Sequence, residues 1–341
     1  MKRSLVRLLA CPACGHPDLQ LRAVRTERRS DWAGVRTADV GDSALVDVLE
    51  GALECVECHV AYPIRDGVPR MMPPDEPAGP ATGHRWTEFD DAVPEYEQNF
   101  RELCEPLGPT DFVGRVVLDA GCGFGRHAFF AARYGAEVVA LDSSAEAIAS
   151  AAKNLAASSL AHVVQGDITR PPLRRDVFDI VYSFGVLHHV VSARRAFASL
   201  RECVRPGGRL LVWVYGPRQG LIRIVTGALR GATAEMRPEH LYRFSQALAL
   251  GVRAFSHAPY RVLRRAPGMH GVVTHLPLHD HARWPFAIVV ADVYDRLRVP
   301  VTGYFTGEEL EKWYAEAGFA DIDVLRRVRN TESFRGSGVR R

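Results

Sequence analysis

The chain has 341 residues, a hydrophobic content of 47% and a net charge of only +3. These values are typical of a water-soluble globular protein with one large α/β domain and a smaller module. So small a net charge excludes an overall field that would attract nucleic acid. No apolar run reaches the roughly 18 residues of a membrane span, and the N-terminal apolar stretch is too short for a signal peptide. We therefore expect a cytoplasmic protein without membrane contact.

Two Cys-x-x-Cys pairs, Cys11/Cys14 and Cys55/Cys58, lie near the N-terminus. Each pair can direct two thiolates at one tetrahedral ion, and the two together would form a four-sulfur zinc site with no open position. Such pairs favour metal binding in a reducing compartment over disulfides. A module of this size has too small a core to fold alone, so the zinc would supply much of its stability. We predict a structural zinc.

The segment that contains these pairs resembles a zinc-ribbon family that activates tRNA and protein methyltransferases. The resemblance covers about residues 1–72 and includes both cysteine pairs, Tyr62-Pro63-Ile64 and Arg65-Asp66-Gly67-Val68-Pro69. It implies a small β zinc ribbon over residues 1–74, fused here to another domain instead of forming a separate partner. Its role stays open between a docking platform, a wall of the substrate site and a stabilising element.

Residues 75–110 are predicted to be a linker and an N-terminal helical segment. The linker is rich in Pro, Gly and Ala, which disfavour helices and strands. In the helical segment, Trp86 and Phe89 would either fold over a cofactor or belong to the core.

A larger domain is predicted over residues 111–341. Its five short apolar runs alternate with helical patterns, which indicates a parallel sheet buried on both faces. These runs are residues 115–119, 137–142, 162–167, 178–183 and 209–214. Residues 216–300 are irregular and too long for an ordinary connection, so we predict an inserted helical lid. A capping box at Thr306 is expected to begin the next helix.

The sharpest motif is a glycine-rich turn directly after the first of these runs, Asp119-Ala120-Gly121-Cys122-Gly123-Phe124-Gly125. Glycines permit a tight turn and close approach of the backbone to a ligand. A dinucleotide-binding loop is the rival interpretation, but it would require Gly or Ala where Arg126 stands. An acidic residue at the end of the strand suits a ligand that carries an amino group.

This turn and the four segments that follow resemble class I S-adenosylmethionine-dependent methyltransferases, in the order of that family. The resemblance covers residues 84–214 and, more loosely, 304–328. It implies a doubly wound, mainly parallel seven-stranded α/β sheet. It also implies binding of S-adenosylmethionine, with the ribose hydroxyls on one carboxylate and the adenine amino group on another. The residues implied are Asp119, Gly121, Cys122, Gly123, Asp142 (ribose), Ser143, Asp167 (adenine), Ile168 and Ser183.

Two histidines, His188 and His189, follow the fourth strand, where methyltransferases with this pattern often place a group against the acceptor. A base is needed only if the acceptor is protonated at neutral pH. Either histidine is a candidate, with His188 favoured, or both pack against the following helix. No Asn/Asp-Pro-Pro-Tyr sequence stands at the preceding position, where Ser183 begins Ser-Phe-Gly-Val, which disfavours amide and exocyclic-amine methyltransferases.

The predicted lid contains a polar group near Trp284, consisting of His270, His275, His279, Asp280 and His281. These side chains could contact a substrate, bind a second metal or lie in a solvated loop.

We predict an enzyme that methylates an O, N or C atom of a small-molecule metabolite under the lid, as part of a biosynthesis. An RNA methyltransferase that grips RNA with the ribbon is the second hypothesis, and a regulatory interaction protein is the third. Nucleic acid is disfavoured as a partner because the arginine-rich stretches, such as residues 22–29, are short and interleaved with acids. The acceptor and the oligomeric state are not determined by the sequence.

Overall fold

The computed structural model describes residues 1–28, 46–75, 94–217, 220–266, 268–273, 276, 278–298, 303–326 and 333–341. The side chains of residues 220–223, 270 and 280 also lie outside this description. Trp86, Phe89, His275 and most of the predicted linker therefore lie outside the described residues.

The N-terminal module is a small antiparallel sheet with a cysteine pair in each of two tight turns. A 3₁₀ turn (Arg3–Leu8) precedes four strands in the order β1-β2-β3-β4. Each turn closes with a residue of positive φ, Gly15 or His59, whose N–H donates to the carbonyl of the first cysteine in its pair. The strands are β1 (Leu19–Arg28), β2 (Val46–Cys55), β3 (Ala61–Arg65) and β4 (Val68–Pro69).

The large domain is built on a seven-stranded sheet in the order β7-β6-β5-β8-β9-β11-β10. Strands β5 to β9 are mutually parallel, and β11 runs antiparallel to both of its neighbours. The strand order reverses at β5, and ligands of open α/β sheets bind at the carboxyl ends of the strands beside such a point. The predicted doubly wound, mainly parallel sheet is confirmed. The strands are β5 (Val116–Ala120), β6 (Glu137–Asp142), β7 (Ala161–Gln165), β8 (Phe178–Phe184), β9 (Val204–Tyr215), β10 (Phe319–Arg326) and β11 (Ser333–Arg340).

Among the described residues, five helices pack around this sheet, and two of them begin with a side-chain cap. Ser144 caps one of them by accepting a hydrogen bond from Ala147 N at 3.2 Å. The predicted capping box at Thr306 is confirmed, because Thr306 Oγ1 accepts from Glu309 N and Thr306 N donates to the Glu309 carboxylate. The helices are α1 (Pro94–Cys104), α2 (Arg126–Arg133), α3 (Ala145–Asn154), α4 (Ala193–Cys203) and α10 (Gly307–Glu316).

Between β9 and α10 the chain forms a helical insertion with a small core of its own. It contains α5 (Gly220–Thr233), α6 (Pro238–Val252), a π-helical turn (Arg253–His257), α7 (Ala258–Leu263), α8 (His270–Val273), a 3₁₀ turn (His279–His281) and α9 (Phe286–Arg298). Its core consists of buried side chains from α6 and α9, namely Leu241, Ala249, Val289, Val290, Val293, Tyr294 and Leu297. None of the described helices is both long enough and apolar enough to cross a bilayer.

The ribbon covers one edge of the large sheet. Met71 N donates to Gln165 O of β7 at 2.8 Å, and a single antiparallel bridge joins Leu9 to Leu173. Apolar side chains of the ribbon, including Leu5, belong to the same hydrophobic cluster as Leu141 of the sheet. The edge strand β7 is thus partly capped by the chain itself, which removes a site of unwanted strand pairing.

Candidate active site and metal centre

The four cysteine sulfurs of the ribbon converge on one point. Cys11 Sγ lies 3.6 Å from Cys58 Sγ, and Cys14 Sγ lies 3.6 Å from Cys55 Sγ. All four ligand atoms lie within 4.8 Å of one another. Zinc–thiolate bonds of about 2.3 Å in a tetrahedron require sulfurs about 3.8 Å apart, so this quartet fits a zinc ion. Among the described residues, no other cluster of His, Cys, Asp and Glu has this geometry.

A hydroxyl group supports one of these ligands from inside the ribbon. The Tyr62 hydroxyl lies 3.2 Å from Cys11 Sγ, and both side chains are buried. Burial acts to raise the pKa of the Cys11 thiol, but hydrogen bonds from Tyr62 and from the backbone of Cys14 and Ala13 outweigh it and lower that pKa to about 7. Cys11 therefore favours the thiolate, which is the form that binds metal. A backbone hydrogen bond acts to lower the pKa values of Cys14 and Cys58, but desolvation and hydrogen bonds with the other cysteines outweigh it and raise them.

The glycine-rich turn joins β5 to α2 with three residues at positive φ, Gly121, Gly123 and Gly125. A Cβ atom on Gly121 would lie 2.3 Å from Val186 Cγ2, so only glycine fits there. A Cβ on Gly123 would meet nothing within 4 Å, so the backbone at this position borders open space. A turn of this kind leaves room for a ligand to approach the chain closely.

The end of β6 is tied to this turn by a buried carboxylate. Asp142 Oδ2 accepts a hydrogen bond from Gly123 N at 2.9 Å, and Asp142 Oδ1 accepts one from Ser144 N at 2.9 Å. Burial raises the pKa of Asp142 in spite of these two bonds. The side chain is 9% exposed, and its remaining lone pairs can accept hydrogen bonds from hydroxyl groups of a ligand beside Gly123.

A second carboxylate, Asp119, lies beneath the turn and is 1% exposed. Burial raises the pKa of Asp119 to about 8; a backbone hydrogen bond from Ala128 opposes this effect and the nearby charge of Asp142 adds to it. Among the described residues its Oδ2 atom makes no hydrogen bond of good geometry, although the nearby Tyr182 hydroxyl also acts to lower the pKa of Asp119. A buried acceptor in that state suits a cationic or amino-bearing ligand, so the pair of carboxylates fits the amino acid and sugar ends of S-adenosylmethionine.

The other predicted cofactor residues differ in their exposure and in their hydrogen bonds. Asp167 is partly exposed, and its Oδ1 accepts from Thr169 N at 2.5 Å, while the Ser143 carbonyl accepts from Gln165 Nε2 at 2.9 Å. Three predicted side chains face the protein interior: Cys122, Ile168 and Ser183. The Ser183 hydroxyl donates to the Ala120 carbonyl at 2.9 Å, so this side chain braces β8 against β5.

The two histidines after β8 occupy different environments. His188 is fully buried, its ring lies 3.9 Å from the Tyr215 ring between centroids, and its Nδ1 accepts from Tyr215 N at 3.3 Å. The sequence left open packing against the following helix, but these contacts of His188 are with Tyr215 at the end of β9. His189 is partly exposed, so of the two it is the one that a ligand can reach.

An aromatic and cationic contact, missed by the sequence reasoning, joins the insertion to the glycine-rich turn. The Trp284 ring packs edge-on against Tyr96 of α1 at 5.4 Å between centroids. The Arg126 guanidinium lies over both rings, 5.0 Å from the Tyr96 centroid and 5.9 Å from that of Trp284. The sequence presented Arg126 only as a departure from the dinucleotide motif, and nothing local paired it with a residue more than 150 positions away.

The histidines of the insertion mainly hold its own backbone. His279 Nδ1 lies 3.1 Å from Leu276 O, and the ring of His281 lies 5.7 Å from that of Trp284. His257, which the sequence analysis did not select, is fully buried with Nε2 2.8 Å from Leu278 O. His275 and the side chains of His270 and Asp280 lie outside the described residues, so their predicted roles stay predictions.

Two regions of this chain match families of known proteins. Residues 118–212, which span the glycine-rich turn, both carboxylates and His189, match the family described as "Methyltransferase domain". The chain carries a methyltransferase domain. Residues 2–67, which contain all four cysteines, match the family described as "Trm112p-like protein". The prediction of a methyltransferase domain fused to a zinc ribbon is confirmed.

Relatives of the methyltransferase domain differ in function. The chain is 42% identical over 94 residues to the malonyl-[acyl-carrier protein] O-methyltransferase of Enterobacter lignolyticus, covering 28% of this chain and 36% of the relative. It is 33% identical over 127 residues to the tRNA U34 carboxymethyltransferase of Methylococcus capsulatus, covering 36% and 39% respectively. The chain thus spans little more than a third of the length of these two relatives.

Among solved structures, the chain is similar to one from a complex between the Haloferax volcanii Trm112 methyltransferase activator and a methyltransferase. The TM-score is 0.42 at 14% identity, with 72% of this chain and 88% of that chain covered.

Proposed function

We propose that this protein is an S-adenosylmethionine-dependent methyltransferase that acts on a small-molecule acceptor beneath its helical insertion. The observation that carries the proposal is the pair of buried carboxylates, Asp119 and Asp142, at the ends of adjacent parallel strands around a turn that opens at Gly123. When bound, S-adenosylmethionine supplies an activated methyl group that leaves by in-line displacement.

In this proposal, each residue around the glycine-rich turn has a distinct task. Asp142 accepts hydrogen bonds from the ribose hydroxyls, and Asp119 balances the positive charge of the amino acid end. Asp167, at the end of the next strand, reads the adenine amino group, and the backbone of Gly121 and Gly123 lets the ligand lie against the turn. Cys122, Ile168 and Ser183 shape this wall from inside.

The acceptor side is bounded by the turn after β8 and by the insertion. His189 is the partly exposed group at that turn, and we assign it the contact with the acceptor, either as a base or as a hydrogen-bond donor. His188 positions the turn through its contact with the Tyr215 backbone. Trp284 packs against Arg126, and we assign it the task of excluding water from the ligand site.

The test is calorimetric binding of S-adenosylhomocysteine to zinc-loaded protein. Asp142→Asn removes charge-assisted hydrogen bonds worth about 1.5–3 kcal/mol each, so we expect affinity to fall by roughly 10- to 100-fold. Asp179→Asn is the matched control. Asp179 lies near the start of β8, where it pairs with Arg205 at the end of the strand opposite to the glycine-rich turn. This substitution should leave the affinity unchanged. Folded wild-type protein that gives no heat with this ligand or with S-adenosylmethionine would overturn the proposal.

Transfer to RNA is the second candidate, because this chain contains a Trm112p-like domain and one of its relatives is named for tRNA. It predicts that purified protein methylates bulk tRNA from labelled S-adenosylmethionine and that binding weakens steeply with salt. A small-molecule enzyme would transfer label to neither RNA nor protein, and would release it into a low-mass product in the presence of a metabolite extract.

A further inference from the structure

One face of the helical insertion exposes apolar side chains to solvent. Helix α6, the π-helical turn and α7 form one continuous helical segment from Pro238 to Leu263. On it Leu250 is 64% exposed, Phe255 82% and Val262 73%. Monomeric proteins seldom leave such a row of large apolar side chains uncovered without an interaction to serve.

Exposed positions recur every three or four residues along this segment, apart from Phe255, which follows Ala254 directly in the π-helical turn. The stripe runs from Arg243 to Arg265 and consists of Arg243, Ala247, Leu250, Ala254, Phe255, Ala258, Val262 and Arg265, all exposed. The opposite side of the same helix is buried in the insertion, where Leu241, Ser245, Ala249, Ser256 and His257 are each at most 3% exposed. The stripe is therefore held outward by a packed core behind it.

The charge of this region differs from that of the rest of the chain. Residues 220–266 contain eight arginines, two glutamates and no other charged residue, a net charge of +6 with histidines neutral. Since the whole chain has a net charge of +3, all remaining residues together carry −3. Residues 238–265, which bear the apolar stripe, contain five of these arginines and one glutamate, a net charge of +4. Two of the five, Arg253 and Arg261, donate to backbone carbonyls of the insertion, whereas Arg243 and Arg265 are exposed at the two ends of the stripe.

Apolar side chains flanked by arginines on one helical face are typical of a segment that lies on the surface of an anionic bilayer. RNA would engage the arginines but would gain nothing from burial of Leu250 and Val262. An anionic bilayer surface engages both features, because the acyl boundary buries the apolar stripe while the headgroup phosphates pair with the guanidinium groups.

We infer that the outer face of residues 243–265 docks the protein on an anionic membrane surface. Docking is peripheral and needs no spanning helix, and it differs from the sequence-based expectation of a protein without membrane contact, which stays a prediction that the experiment below tests. The face is joined to the methyltransferase site, since Arg253 Nη2 from the same helical segment donates to Trp284 O at 2.7 Å. The membrane surface therefore lies on the side of the molecule that bears the insertion.

The experiment is co-sedimentation of the full zinc-loaded chain with vesicles, either pure phosphatidylcholine or a 7:3 mixture with phosphatidylglycerol. We expect binding only to the anionic vesicles, and weaker binding at higher salt. Phe255→Ser/Val262→Ser should reduce the partition coefficient at least about tenfold by removing apolar burial. Arg243→Glu/Arg265→Glu should reduce it by roughly fivefold or more per charge.

Matched controls use Val24→Ser, an 82% exposed valine of the ribbon, and Arg133→Glu on the exposed end of α2; both should bind like wild type. Melting temperature and S-adenosylhomocysteine affinity check that every variant is folded. Because the vesicle assay requires no methyl donor, its result is independent of the proposed activity.

Three outcomes would overturn the inference. The first is equal sedimentation with neutral and anionic vesicles or with neither. The second is retention of full vesicle binding by Phe255→Ser/Val262→Ser, which would indicate a purely electrostatic partner such as RNA. The third is a wild-type dimer that dissociates in this variant without any vesicle binding, which would assign the stripe to a second copy of the chain.

Discussion

At the scale of single residues, the ionisation of Asp119 should be coupled to ligand binding. The pKa of Asp119 lies near 8 in the free protein, chiefly because of burial, with Asp142 and Arg126 as the nearby charges. A cationic ligand favours the carboxylate, so binding below pH 8 must release a proton from this group. We expect affinity for S-adenosylmethionine to rise between pH 6 and 8, by at most about tenfold per pH unit.

Calorimetry at pH 7 in buffers of different ionisation enthalpy measures that release directly. Asp119→Asn should bind more weakly and release fewer protons than wild type. An equal number of protons released by both proteins would show that another group is responsible.

At the scale of elements, the insertion is attached to the methyltransferase domain through the Trp284 contact with Tyr96 and Arg126. Such aromatic and cation–π contacts together stabilise by about 1–3 kcal/mol. Trp284→Ala should therefore loosen the insertion while leaving the sheet intact. We expect faster hydrogen exchange over residues 278–298 and faster release of S-adenosylhomocysteine, by about five- to 100-fold for a loss of this size.

Trp284→Phe, which keeps an aromatic ring at this position, is the control and should lie between wild type and Trp284→Ala. Unchanged exchange over residues 278–298 in Trp284→Ala would mean that other contacts hold the insertion in place.

At the scale of the whole molecule, the ribbon and the sheet are packed as one unit. The ribbon bridges to β7 through Met71, and its buried residues Leu5, Leu8 and Leu9 share a hydrophobic cluster with the sheet. Arg174 Nη2 reinforces the contact by donating to Pro17 O at 2.9 Å, and Arg7 of the ribbon pairs with Glu137 of β6. Loss of the ribbon would thus expose the edge strand and part of the core.

Removal of zinc should for this reason destabilise both domains. A structural zinc contributes folding free energy of order 10 kcal/mol, so we expect chelation, or Cys55→Ser, to lower the melting temperature of the methyltransferase domain by at least about 5 °C. Differential scanning calorimetry measures this shift, and added zinc should reverse the effect of the chelator. A methyltransferase transition that stays in place while a separate ribbon transition disappears would contradict the coupling.

The elements whose signals are local in the chain were predictable from sequence. The cysteine pairs, the Asp119 turn, the apolar strands and the Thr306 cap each depend on residues within a few positions of one another, where spacing alone restricts the geometry. The doubly wound, mainly parallel seven-stranded sheet followed from a resemblance that covers the same segments. Zinc-site geometry was equally foreseeable, because two knuckles have few ways to close around one ion.

Only the tertiary structure decided which distant groups meet. Packing turned His188 toward Tyr215 and left His189 accessible, placed Trp284 on Arg126, and set the ribbon against β7. The outward stripe on α6 and α7 also became visible only once the buried side of that helix was known. Such contacts join residues that are dozens to more than a hundred positions apart, and side-chain packing, which no local pattern encodes, selects among the many arrangements that the same local elements allow.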